Sequence, residues 1–430
     1  MTKRRRSTRH GRARAGTLAL ALACAAVAGG LTGCGTGDGG AGHGPFQRVL
    51  DEQAAALRAG DRPGYLAAVD PRAAAYRSGQ ERVYRNLRSL PLATWAYQVT
   101  DVTRHEESAT VTARLRYRIA GYDRVTTTDT ERLRFVRRDG GWRIAAEAAD
   151  SDTQLWEQGT MTVVRGAHSL VLGVGRDRSG LRRLARAADR AVPAVARVWP
   201  GGWSRRTVLE APSSVADMAR LLGSPASSYE GIAAVTTGEA GGGAAAGGSA
   251  PADRIVINPQ AYGMLSDEGQ QVVLTHETTH VATRHQTTRA TPMWLSEGIA
   301  DWAGYRASKT APREAAPELA RAVAGRQPGG DDGDGDGGGD GPLHRLPTDE
   351  DFAFGNDPAR LARAYEGGWL ACRMVAQQWG QDTLVELYER AGRAGGGRSP
   401  DVDAALRSVL GIGQAEFTAR WRSYVTELLG

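Results

Sequence analysis

Lysine is almost missing from this chain. Of its 54 basic residues only Lys3 and Lys309 are lysine, a skew that reads as codon bias rather than as arginine chemistry. Cysteine is nearly as scarce, with Cys24, Cys34 and Cys372 alone among 430 residues, so a disulfide framework is excluded and stability has to come from packing. Acidic residues are absent from positions 1–33, while Lys3, Arg4, Arg5, Arg6, Arg9, Arg12 and Arg14 crowd the start. Those seven account for the basic balance: without them 47 basic residues face 48 acidic ones. Nucleic acid as a partner thereby loses its main support.

The basic head leads into an apolar run from Thr17 to Ala28 and then into LTGC at Leu31–Cys34. The run is too short to span a bilayer and has the pattern of a secretory signal. LTGC resembles the lipobox of bacterial lipoproteins. That resemblance implies cleavage before Cys34, a lipid on Cys34, and a protein exported and anchored to the outer face of the bacterial cell membrane. Residues 1–33 are then signal peptide, and the Gly-rich stretch 34–44 is a flexible tether. Cys372, inside an apolar helical pattern, reads as a small buried hydrophobe.

Residues 45–158 form a first unit. Phe46, Val49, Leu50, Ala54 and Leu57 follow helical spacing, with Gly60 as the stop, and two shorter helical patterns follow around Tyr65–Val69 and Glu81–Leu90. The period then changes to two: Val111, Ala113, Leu115, Tyr117 and Ile119 alternate with Thr112, Arg114, Arg116 and Arg118. Neighbouring segments at 94–102, 126–136 and 142–147 complete an antiparallel meander, with a hairpin turn near His105 and another at Asp139–Gly141. Helices followed by a meander make an α+β unit. The order resembles the cone-shaped domains of the nuclear-transport-factor type. No paired carboxylates or histidine clusters show in this stretch of sequence.

Residues 159–430 form the second unit. Strand patterns at Met161–Arg165 and Ser169–Gly173 precede a helix from Ser179 to Trp199, expected to kink or break at Pro193. Further strands are expected at Arg206–Ala211, Gly231–Thr237 and Arg254–Asn258, with a low-complexity insert at 238–252 between the last two. A second insert, 327–342, contains Asp332, Asp334, Asp336 and Gly337 in an order like the opening of a calcium loop. Leu343 stands where the closing bidentate Glu is needed, so an acidic low-complexity insert is the better reading. After it, Asp357-Pro358 starts a helix, and three more follow to the end.

Between the two inserts lies HETTH, His276–His280, on a helix capped by Ser266. Two histidines four apart lie on one face of a helix and can share a divalent ion, while Glu277 between them sits beside it. Seventeen residues after His280 comes Glu297, in WLSEGIADW, which has its own helical spacing. Three protein ligands leave one position of a tetrahedral Zn2+ open, the mark of a catalytic rather than a structural site.

This combination resembles the gluzincin metallopeptidases, the thermolysin-like and aminopeptidase-like group. The resemblance implies a small mixed sheet, a metal-binding helix packed on a second helix that supplies the Glu, and a C-terminal helical lobe. It implies His276, His280 and Glu297 as zinc ligands, Glu277 as general base, and Asp301 as the carboxylate that orients a ligand histidine. It also calls for a downstream tyrosine to hydrogen-bond the oxyanion, for which Tyr365 is the candidate. The whole is an α+β protein whose expected function is a membrane-anchored, extracytoplasmic zinc peptidase acting on a peptide or protein. The alternative is a surface binding or assembly lipoprotein that keeps the metal site without catalysis.

Overall fold

The structure is a computed structural model, and it describes residues 39–237, 253–325, 343–353, 357–393 and 402–430. The segment 1–33, Cys34 and the inserts 238–252 and 327–342 lie outside the described residues. Within those residues the chain is α+β, with 14 helices, one four-stranded antiparallel sheet and one five-stranded mixed sheet. No described helix is long and apolar enough to cross a membrane.

Helices α1 (Gly39–Ala59), α2 (Arg62–Ala67) and α3 (Ala74–Arg88) come first. The start of α1 corrects the expected tether, which had run to residue 44. Phe46 is fully buried there, edge-on to Phe135 at 5.1 Å, and an Arg104 N–H donates to the Gly42 carbonyl at 2.6 Å. The chain becomes helical where it finds partners. Strands β1 (Leu92–His105), β2 (Ser108–Ile119), β3 (Thr127–Arg138) and β4 (Gly141–Glu147) follow as a meander in that spatial order. The alternation in β2 is realised: Val111, Ala113, Leu115, Tyr117 and Ile119 are buried, and Arg114 and Arg116 are exposed. Period-two hydrophobicity has put one face on the helices and left the other wet.

The second sheet has the order β5-β6-β7-β9-β8, from β5 (Met161–Arg165), β6 (Ser169–Val174), β7 (Thr207–Ala211), β8 (Ala234–Thr236) and β9 (Arg254–Ile257). Strands β6, β7 and β9 are parallel, and β5 and β8 are antiparallel edges. The middle strands β6 and β7 are buried throughout, as strands covered on both faces must be. The edge strand β8 covers three residues, shorter than the seven-residue pattern that announced it. The helix α4 (Arg178–Val198) packs its alanine and leucine face on this sheet and runs continuously through Pro193. A short α5 (Val215–Leu222) is capped by Ser214, whose hydroxyl accepts the Asp217 N–H at 3.1 Å.

The two sheets share a core. Leu155 and Trp156, in the link after β4, are buried with Trp95 and Tyr117 of the first sheet and Leu170 and Leu172 of the second. A buried ion pair reinforces the join: the Arg254 guanidinium on β9 donates to both Asp123 oxygens, at 2.7 and 3.0 Å.

The remaining elements are helical: α6 (Ala261–Met264), α7 (Asp267–Thr283), α8 (Met293–Tyr305), α9 (Pro312–Ala315), α10 (Pro317–Ala324), α11 (Pro358–Gln378), α12 (Gln381–Gly392), α13 (Val402–Leu410) and α14 (Gln414–Leu429). Helices α9 and α10 were not foreseen; each is short and opens on a proline at its first turn. The largest core cluster lies in this half, with Trp294, Ile299, Trp369, Leu370, Cys372, Phe417 and Trp421 among its members. Cys372 is fully buried, as its apolar setting required.

Two glycines set the spacing of α8 and α11. A Cβ on Gly298 would collide with the Gly368 carbonyl, and one on Gly368 would lie 2.6 Å from the Trp294 carbonyl oxygen. The backbones touch with no side chain between them. Gly298→Ala is expected to force the helices apart and lower stability by about 1–3 kcal/mol, read as a reduced denaturant midpoint.

Candidate metal centre

Helix α7 is unusual in being buried and polar at once. Ser266 caps it by accepting the Gly269 N–H at 3.1 Å, and Asp267 and Glu268 in its first turn suit the positive end of the helix dipole. From Leu274 onward almost every residue is buried, including Thr275, Thr278, Thr279 and Thr283. Burial of hydroxyls is tolerable only when they are bonded. Three of them donate back to the carbonyl one turn earlier: Thr275 to Gln271 at 2.8 Å, Thr278 to Leu274 at 2.6 Å and Thr279 to Thr275 at 2.8 Å. The helix therefore carries polar residues into the interior without leaving them unpaired.

Helix α8 also packs on α7, less tightly than on α11. A Cβ on Gly304 would stand 3.0 Å from the Val272 carbonyl oxygen. This contact brings Glu297 to the two histidines. The His276 and His280 Nε2 atoms are 3.0 Å apart, and Glu297 Oε2 lies 3.3 Å from the first and 3.4 Å from the second. The three side chains form a group whose ligand atoms all fall within 4.8 Å of one another. Four-coordinate zinc with bonds of about 2.0–2.1 Å places its ligand atoms about 3.3–3.4 Å apart, so the triangle has nearly the edges a tetrahedral ion requires. Among the described residues no fourth His, Cys, Asp or Glu joins the group.

Asp301, one turn after Glu297, reaches His276 Nδ1 at 2.8 Å. A carboxylate in that place takes the Nδ1 proton and turns the Nε2 lone pair toward the triangle. Burial alone would push the His276 pKa down, but the Asp301 and Glu297 carboxylates outweigh it and hold the imidazole well above its usual value. Burial would push Glu297 up, yet His280 and His276 hold its carboxyl well below the usual range. Two nitrogens and a carboxylate at such distances need positive charge between them. Protons can supply it, and a divalent cation bound there would compete with them.

Glu277 is buried beside the group, and its charge contributes to raising the His276 pKa. Thr236, on the edge strand β8, was not singled out in the sequence. Its hydroxyl lies 2.6 Å from Glu277 Oε2 and 3.1 Å from the Glu277 carbonyl oxygen, tying the edge strand to the helix between the two histidines. Arg284, which ends α7, bonds to Asp253 at 2.6 Å and to the Thr237 carbonyl, holding the same end of the edge strand.

Tyr365 sits half-buried on α11, its ring edge-on to Phe352 at 5.2 Å at the margin of the helical core. Another tyrosine was passed over in the sequence. Tyr388 on α12 is fully buried, its hydroxyl 2.6 Å from Thr287 Oγ1 and 3.4 Å from Ser296 Oγ, next to Glu297 in the chain. Burial raises its pKa, and the Glu297 charge adds to that. Nothing in the local sequence marks it, because its partners come from the loop after α7 and from α8.

No protein-family model matches this chain, and no curated protein matches its sequence. The chemistry of the centre therefore rests on its own geometry. Asp301→Asn is expected to leave the fold intact and weaken divalent-metal affinity about 10–100-fold, measured by competition with a coloured chelator.

Proposed function

We propose that this protein is a zinc-dependent peptidase of the gluzincin kind. The observation that carries the reading is the triangle of His276, His280 and Glu297 with an additional carboxylate, Glu277, buried beside it. Two imidazoles and one carboxylate are the donor set of catalytic zinc. Zinc held there supplies a Lewis acid and an acidified water.

The remaining work belongs to the chain. His276, His280 and Glu297 hold the ion, and Asp301 fixes the orientation of His276. Glu277 takes a proton from the attacking water and returns it to the leaving amine, a role that needs a carboxylate near the ion but not bound to it. The Thr236 hydroxyl holds one oxygen of Glu277 and leaves the other for that transfer. Tyr365 is the proposed donor to the oxyanion. On this proposal the substrate is a peptide or protein. The enzyme works outside the cell, held to the outer face of the bacterial membrane by a lipid on Cys34, and residues 45–158 stand between anchor and catalytic unit.

A peptide-library digest by the zinc-loaded full chain, run beside Glu277→Gln, tests the reading. The variant is expected to keep stoichiometric zinc and lose about 10²–10⁴ in turnover. Equal cleavage patterns, or none from either protein, would instead favour a binding lipoprotein that keeps the metal without catalysis. Tyr365→Phe is expected to lower kcat by about 10²–10³ with KM and zinc content unchanged; an unaltered kcat would remove Tyr365 from the mechanism.

A further inference from the structure

The first unit contains a feature with no local sign in the sequence. Residues 45–158 showed no paired carboxylates, yet Glu131 of β3, Glu147 at the end of β4 and Glu157 after it line one cavity. They meet because β3 and β4 pair with Leu133 opposite Glu147, with a register shift between Arg134 and Phe135. The turn holding Trp156 then folds back on the sheet. Sequence separation hid the cluster and strand register made it.

Three properties of the cavity point to an occupant. First, its acids have no protein counter-charge. None of the three carboxylates pairs with an Arg, Lys or His among the described residues, and the charges that act on Glu131 come from Glu147, Glu157, Asp129 and Asp152. Second, two polar side chains lining it are more than nine-tenths buried and have no hydrogen-bond partner among the described residues: Glu131, 7% exposed, and Gln53, 4% exposed. Native interiors seldom leave such groups unpaired. Third, the walls are aromatic, with Trp95, Tyr97, Tyr76 and Trp156 turned to the same space. Carboxylates combined with aromatic faces are the recognition chemistry of an organic cation.

Size narrows the class. The volume open to the centre of a water-sized body is 20 Å³, enough for one such group and little more. Among the described residues only His276, His280 and Glu297 form a compact group of three metal-ligand atoms, so the three cavity carboxylates do not gather around one bare ion. Calcium needs six to eight oxygens at about 2.3–2.6 Å, whereas an ammonium nitrogen reaches its acceptors at about 2.7–2.9 Å and also gains from the rings.

We propose that this cavity is a binding site for a small primary ammonium group, held by Glu131, Glu157 and Gln53 between the aromatic rings. Burial pushes the carboxyls of Glu131, Glu147 and Glu157 up, the last to about 8, and neighbouring acids add to the rise at Glu131 and Glu157, so one ammonium group satisfies a cluster that is otherwise partly protonated.

The test is calorimetric titration of the full chain with methylammonium chloride at constant ionic strength, with tetramethylammonium and calcium chlorides alongside. Tryptophan fluorescence gives a second readout, because Trp95 and Trp156 line the cavity with ring centres 5.8 Å apart. Methylammonium is expected to bind saturably with one site, and tetramethylammonium, which cannot donate a hydrogen bond, is not. Glu131→Gln should weaken methylammonium about tenfold or more, the worth of one charge-assisted hydrogen bond. Glutamine relieves a buried charge and keeps the shape, so the variant is expected to fold; Glu157→Gln serves if thermal unfolding shows that it does not. Absence of saturable methylammonium binding, undiminished binding in the folded variant, or preferential binding of calcium would each overturn the assignment.

Discussion

The rest of the structure depends on the burial of one polar helix. Helix α7 carries two histidines, a glutamate and a row of threonines into the interior, where each polar atom costs free energy unless it is bonded. The threonines solve their part locally, by bonding to the preceding turn of their own helix. The histidines and Glu277 cannot. They require α8 with Glu297 and Asp301 on one side and the edge strand with Thr236 on the other. The same demand fixes the glycines. A side chain at Gly298 would push α8 off the backbone of α11, and one at Gly304 would press on α7 at Val272.

Seen this way, the helical half is a support for the position of α8. Helix α11 presents Gly368 to it and fills the space beyond with Trp369, Leu370 and Cys372. Helix α12 reaches it through the Tyr388 hydroxyl, which bonds both the loop leaving α7 and Ser296 beside Glu297. The sheet half acts on the other flank. Arg254 ties β9 to Asp123 of the first unit, and its neighbour Asp253 holds Arg284 at the end of α7. One short stretch of β9 thus joins the first unit, the second sheet and the metal helix.

Much of this was legible in the sequence where the signal is local. Periodicity placed the core of β2, and capping residues placed the starts of α7 and α11. The metal trio was legible because helical spacing brings His276 to His280, and Glu297 and Asp301 repeat the spacing on the next helix. What escaped was non-local or too short to show a period. Strand β8 kept three of its seven expected residues, because pairing with β9 rather than hydrophobicity decides its length. Thr236 and Tyr388 have unremarkable neighbours in the chain and acquire their roles from partners roughly 40 and 100 residues away. The tether gave way to α1 because Phe46 and Gly42 have partners on the first sheet that no local pattern records.

The two clusters of buried acid in this chain solve one problem in opposite ways. At the metal centre Glu297 is surrounded by imidazoles, and its carboxyl is held low; the interior there is arranged for an ionised group awaiting a cation at bonding distance. In the first unit the charges that act on Glu131 are all acidic, and with burial they hold its carboxyl high; that interior favours the protonated form. Tight nitrogen and oxygen geometry suits a divalent ion, and wide carboxylate spacing between aromatic rings suits a larger, softer one. The difference follows from scaffold. Two helices in backbone contact fix ligand atoms to a few tenths of an ångström, whereas a twisted sheet closed by a turn leaves a cavity whose width is set by ring size. A fold that joins both kinds of scaffold through one core keeps its two groups of buried acid on separate residues.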